Sequence, residues 1–210
     1  MIQFSKKQKL WFVLSVAMLT LFVIWTLVVK FVDVDQVGLS HLNQFFWQRC
    51  GKHEIWARIT KWLGYLCILV VACLVIWQVV QWVRRKSLWR VDKNLLLFNL
   101  VGVLFLVVYV FFEIVVINYR PLLDNGVAKA SYPSSHAMLF VVVLSLLIWQ
   151  VWHYYKSKSW QVILTVALTI FMVIGVVGRL FSGVHWFTDI VAGVIMGYSL
   201  VCFYLGLVSK

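Results

Sequence analysis

The chain has 210 residues, 63% hydrophobic and 12% charged, with a mean hydropathy of +0.94 and a formal net charge of +12. A soluble domain carries about a quarter charged residues, so this composition excludes a water-soluble globular protein and points to a bilayer-embedded one. The basic residues lie mostly in short loops between apolar runs, where they meet anionic headgroups; no nucleic-acid-binding motif accompanies them, and no nucleic-acid partner is expected.

Lys6, Lys7 and Lys9 precede the first apolar run, residues 10–29. The run is too long for a signal-peptide core and lacks a small-residue cleavage site, so it is expected to stay as a first helix. Residues 33–62 interleave Phe45, Phe46, Trp47, Trp56 and Trp62 with Arg49, Lys52, Arg58 and Lys61. That mixture predicts an amphipathic helix in the headgroup plane. His41 and His53 there are expected to be surface histidines, with no partner spacing that makes them ligands. Five further runs, residues 63–83, 95–116, 137–154, 162–178 and 187–207, also approach the roughly 20 apolar residues a spanning helix needs. The expected fold is all-α and polytopic: one membrane-embedded domain over residues 1–210, six spans, and an interfacial helix between the first two. Cys50, Cys67, Cys73 and Cys202 form no CxxC pair and are expected to be free thiols.

Eleven of the 19 basic residues, including Lys6, Lys7, Lys9, Arg84, Arg85, Lys86, Arg90 and Lys93, fall on the side that holds both termini. By the positive-inside rule that side is expected to be cytoplasmic, in a cell membrane crossed several times. The loops after the third and fifth spans then open on the extracytoplasmic face.

Those two loops hold almost all of the remaining polar chemistry. The first carries Arg120-Pro121 and Pro133-Ser134-Ser135-His136; the second carries Arg179 and His185, with Asp189 one helical turn on. Helix N-termini present unpaired N–H groups and favour an anion, and Ser134 and Ser135 are N-cap types. Arginine binds phosphate oxygens two at a time. His185 and Asp189 at i, i+4 share a helix face, so the carboxylate can orient the imidazole as a nucleophile. His136 is then available as general acid. The pattern is a parts list for phosphate chemistry.

In these motifs the chain resembles the type 2 phosphatidic acid phosphatase superfamily, whose signature runs K-x6-R-P, P-S-G-H and S-R-x5-H-x3-D. Here the stretches are Glu113-x6-Arg120-Pro121, Pro133-Ser134-Ser135-His136 and Gly178-Arg179-x5-His185-x3-Asp189. The resemblance implies an integral membrane phosphatase acting without metal or cofactor on a lipid phosphate or pyrophosphate. Undecaprenyl pyrophosphate, phosphatidylglycerophosphate and phosphatidic acid are the implied substrates. It implies attack by His185 to give a phosphohistidine, orientation by Asp189, proton donation by His136, and phosphate binding by Arg120, Arg179, Ser134 and Ser135. Three positions depart from the signature: Ser135 for glycine, Gly178 for serine and Glu113 for lysine. Glu113 can pair with Arg120 or Arg179, and Lys129 can supply the missing charge from the loop. The departures leave room for a lipid phosphotransferase, or for a catalytically silent binding or scaffold protein.

Overall fold

The computed structural model describes residues 4–35, 37–122 and 126–209. Seven α-helices follow one another: α1 (Lys6–Phe31), α2 (Ser40–Cys50), α3 (Glu54–Arg85), α4 (Lys93–Ile114), α5 (Ser135–Tyr154), α6 (Lys158–Phe181) and α7 (Phe187–Val208), with a 3-10 turn at Leu88–Arg90. Among the described residues the extended structure consists of isolated bridges, such as Tyr119 with Ala130 in the α4–α5 loop. All helices but α2 are long and apolar enough to cross a bilayer. They match the six predicted spans, and the all-α polytopic fold is as expected.

The stretch 33–62 divides in a way its composition does not reveal. Only Ser40–Cys50 forms the intervening helix; α3 starts at Glu54, nine residues before the predicted span. Trp56 and Thr60 therefore belong to a spanning helix, and they sit one turn apart on the face that meets Gly178 of α6. Nor does α2 lie free on the surface. Its Asn43 is fully buried and donates to the Gly38 carbonyl (2.7 Å) and to Thr188 Oγ1 (2.9 Å), while its Oδ1 accepts the Thr188 N–H (3.1 Å). Asn43 thus satisfies one of the orphan amides at the start of α7. Phe46 stacks on Phe187 at 4.0 Å, seating α2 over that helix end.

Burial identifies the central helices. In the apolar window of α7, 61% of residues are buried, and in α5 50%, against 17–22% in the other four spanning helices. The outer four keep their apolar faces for lipid, and α7 and α5 form the middle. Small residues make their approach possible, as is usual where no hydrophobic effect drives helices together in a membrane. A Cβ on Gly193 of α7 would stand 2.5 Å from the Ser134 carbonyl oxygen. Reciprocal bonds from Ser15 Oγ to the Ser199 carbonyl (2.9 Å) and from Ser199 Oγ to the Ser15 carbonyl (3.0 Å) clasp α1 to α7.

Gly193→Ala is expected to destabilise the protein by about 1–3 kcal/mol through overpacking. Thermal unfolding in detergent measures it, and an unchanged midpoint would contradict this account of the α5–α7 contact.

Candidate active site

The site is built from the N-termini of α5 and α7, the C-termini of α4 and α6, and the α4–α5 loop. At the start of α5 the Ser134 hydroxyl accepts the Ala137 N–H (3.4 Å), which makes Ser134 the N-cap. The Ser134 N–H donates to the Asp189 carbonyl (2.9 Å), tying the two central helices at their ends. Ser134 is fully buried in this role. Ser135, the next residue, turns instead toward a small cavity of about 10 Å³, room for roughly one water. Arg120, Glu113, Tyr109 and His185 share that cavity wall.

His185 lies in the turn before α7 and is almost completely buried. Its Nδ1 is 3.0 Å from the Ser131 carbonyl oxygen and 3.8 Å from Asp189 Oδ2. A carbonyl only accepts, so Nδ1 carries the proton and Nε2 holds a lone pair. The direct orienting bond therefore comes from the loop backbone, and Asp189 acts on the ring from a longer distance. Asp189 itself is fully buried. Its Oδ1 accepts from Asn118 Nδ2 (3.0 Å) and its Oδ2 accepts the Trp186 N–H (3.0 Å). Asn118 also takes the Ser131 N–H (2.9 Å) and Ser131 Oγ (3.2 Å) on its carbonyl. One asparagine thus holds both the carboxylate and the segment that orients the imidazole.

Arg179, at the end of α6, is buried with Nη1 donating to Thr60 Oγ1 (3.2 Å). The Thr60 hydroxyl comes from α3 and stands beside Gly178, where an added Cβ would lie 2.7 Å from Thr60 Cγ2 and 2.9 Å from the Trp56 ring. Glycine at this position leaves room for α3, which brings its own hydroxyl to Arg179. Arg120 donates through Nε to the Ala130 carbonyl (3.3 Å) and through its backbone N–H to the Lys129 carbonyl (3.0 Å). His136, on the first turn of α5, packs edge-on against Phe140 and fits beside Gly64 of α3, where a Cβ would come within 3.2 Å of its Nε2. It lines an apolar groove of about 590 Å³ between α3, α4 and α5. Ser135 and Tyr109 face both groove and cavity.

Two buried nitrogens of this site have no hydrogen-bond partner among the described residues: His185 Nε2 and Arg179 Nε. Buried polar atoms are nearly always satisfied, and an exception calls for an explanation such as a catalytic role or a bound water or ion. An acceptor-rich anion suits the arginine; an electrophilic centre suits the imidazole lone pair. Glu113 is exposed at the last turn of α4, beside Arg120 on the cavity wall, and no ion pair joins it to Arg120 or Arg179. Lys129 lies across the loop bridge, its carbonyl holding the Arg120 backbone.

The structure thus brings Arg120, Ser135, His185 and Glu113 to one cavity, with Asp189 behind His185, and sets His136 on the adjoining groove. Sequence reasoning passed over Asn118, Ser131, Thr60 and Asn43. The one signal for them was their polarity next to apolar spans, which gives no hint of their partners.

Burial, helped by the Arg179 and Arg120 charges and opposed by Asp189, pushes His185 down from its ordinary 6.5 to about 4. The ring is therefore neutral, with its lone pair available, through the neutral range. On acidification the unfolded chain takes up this proton first. The contribution to stability is present above pH 6.5 and is lost as pH falls through about 4. Histidine ¹⁵N shifts in the full chain are expected to show an Nδ1-protonated His185 at pH 6 and titration near 4; a midpoint at 6.5 would contradict the burial argument.

No curated protein matches the chain. A crystal structure titled as the first transmembrane PAP2 type phosphatidylglycerolphosphate phosphatase, from Bacillus subtilis, superposes with a TM-score of 0.63. It has 18% sequence identity and covers 92% of this chain and 94% of that one. At this identity the match speaks for the fold: six spanning helices in a multi-pass membrane protein. The model of the PAP2 superfamily matches residues 14–210, nearly the whole sequence, and the chain belongs to that superfamily.

Proposed function

We propose that the protein is an integral membrane phosphatase that removes phosphate from a lipid phosphate or pyrophosphate through a phosphohistidine on His185. The supporting observation is the junction at Ser135 and Tyr109, which wall both a polar cavity holding Arg120 and His185 and an apolar groove that ends at His136. A lipid phosphate has the matching two-part chemistry: an anion for the cavity and a hydrocarbon chain for the groove, which faces the bilayer between α3 and α4. The cavity has room for about one water, so entry of a phosphate requires the side chains at its mouth, Arg120 foremost, to move outward.

In the proposed reaction the Nε2 lone pair of His185 attacks phosphorus. The bond from phosphorus to the lipid oxygen breaks as His136 gives that oxygen its proton. Arg120 and Arg179 stabilise charge on the transferring oxygens, and Asp189 stabilises the positive imidazole that forms. Water then attacks phosphorus, His136 takes its proton, and the bond to Nε2 breaks to release phosphate. No cofactor enters these steps. Undecaprenyl pyrophosphate, phosphatidylglycerophosphate and phosphatidic acid all meet the two-part requirement. By the positive-inside rule, both termini are cytoplasmic and the cavity opens on the extracytoplasmic side of the cell membrane.

Phosphate release from a panel of these lipids, assayed with a metal chelator present, is the direct test. His185→Ala is expected to lower kcat/KM at least about a thousandfold, the cost of losing a covalent nucleophile. Donor consumption without free phosphate would identify a transferase. No turnover on any member of the panel would favour a binding or scaffold role.

A second expectation concerns the groove. A Cβ on Gly102 meets nothing within 4 Å, so Gly102→Phe fills groove space without a clash on the backbone. It is expected to lower kcat/KM for long-chain lipids about tenfold or more, given about 0.8 kcal/mol per displaced CH₂, and to spare a short-chain phosphate ester. Equal loss on both would show that the groove does not hold the chain.

A further inference from the structure

At the end of the bundle away from His185, a second cavity of about 660 Å³ opens where α1, α4, α5 and α7 converge. Its floor is rigid. The His153 ring stacks on Trp149 with centroids 4.8 Å apart and planes 11° from parallel, and its Nε2 is 3.0 Å from the Asn94 amide nitrogen. Trp149 in turn packs edge-on against Tyr204 (5.3 Å), whose hydroxyl donates to the Asn94 carbonyl (3.2 Å) and accepts from Gln150 (3.1 Å).

The charge on the walls is unbalanced. Asp92 is the acidic residue of the cavity, and it is engaged by Arg85 Nη1 (3.1 Å) and Gln81 Nε2 (2.9 Å). Lys7, from the first turn of α1, and Lys93, at the start of α4, both line the cavity, and neither has a hydrogen-bond or ion-pair partner among the described residues. Two ammonium groups therefore face a preformed cavity whose carboxylate is already neutralised.

Depth narrows the identity of the ligand. Trp152 and Tyr154, on the cavity wall, are half exposed at the end of α5. Aromatic side chains of this kind sit at the level of lipid headgroups. An occupant at that depth meets ammonium groups on its polar side and indole side chains on its apolar side. We propose that this cavity binds the phosphate of an anionic phospholipid from the leaflet at that face, with Lys7 and Lys93 on the phosphate oxygens and the glycerol and first methylenes against Trp149 and Trp152. The site is separate from the His185 cavity, and its proposal does not depend on the reaction assigned there.

The test uses the full chain in a neutral detergent, with bound lipid counted by native mass spectrometry during titration with phosphatidylglycerol. Lys7→Ala with Lys93→Ala is expected to weaken retention about tenfold or more, since both ammonium groups that attract the anionic headgroup are lost. Lys6→Ala with Lys9→Ala removes the same charge from residues that do not line the cavity and is expected to leave retention unchanged. Phosphatidylcholine is expected to bind weakly, and millimolar inorganic phosphate is expected not to displace phosphatidylglycerol. Equal losses in the two double variants would reduce the effect to general surface charge and overturn the proposal. Displacement by inorganic phosphate that depends on Lys7 and Lys93 would overturn it too, by assigning the cavity to a soluble anion. Circular dichroism and a monodisperse elution profile confirm that each variant is folded.

Discussion

Asp189 is the point on which the two central helices and the histidine above them depend. Its carboxylate is fully buried in the first turn of α7, accepting from Asn118 and from the Trp186 N–H, while its backbone carbonyl takes the Ser134 N–H. A buried carboxylate left without donors costs several kcal/mol, so these contacts stand or fall together. Through them the α4–α5 loop, the N-terminus of α5 and the N-terminus of α7 are held in one arrangement. Ser131, in the same loop, then orients His185.

This arrangement answers a difficulty peculiar to membrane proteins. Polar groups are costly inside the hydrocarbon region, where only protein partners can satisfy them. Here the polar groups gather at one end of α4, α5, α6 and α7, and their partners come from loops, from α2 and from α3. Among the described residues, the nitrogens left unsatisfied in this cluster are on His185 and Arg179, two of the residues the proposed reaction uses. The apolar groove meets this polar cluster at Ser135 and Tyr109, which line both. The far end of the bundle repeats the logic in a simpler form, with lysines and tryptophans around a second cavity.

The departures from the family signature have unequal structural consequences. Gly178 is accounted for by the close approach of Thr60 and Trp56, which leaves no space for a Cβ. Ser135 has room because its side chain faces the cavity. Glu113 stands on the cavity wall beside Arg120, and among the described residues no ion pair joins the two.

Hydropathy was enough to locate the six spans, because a bilayer demands some twenty apolar residues whatever surrounds them. The spacing of Arg120, Ser134–His136, Arg179, His185 and Asp189 was enough to nominate the site, because the chemistry of an anion calls for few residue types. Composition misled where it could not see partners: residues 33–62 looked like one surface segment, yet Asn43 is a buried cap for α7 and Thr60 a partner for Arg179. The orienting bond on His185 was likewise invisible, since it comes from a backbone carbonyl fifty-four positions away that any residue type would supply. Sequence alone determined which segments are long and apolar enough to cross the membrane and which side chains are candidates for the chemistry, through hydropathy and residue type. Tertiary structure decided which nitrogen of His185 is free, what holds Asp189 and where the apolar groove meets the polar cavity, because those depend on contacts between segments far apart in the chain.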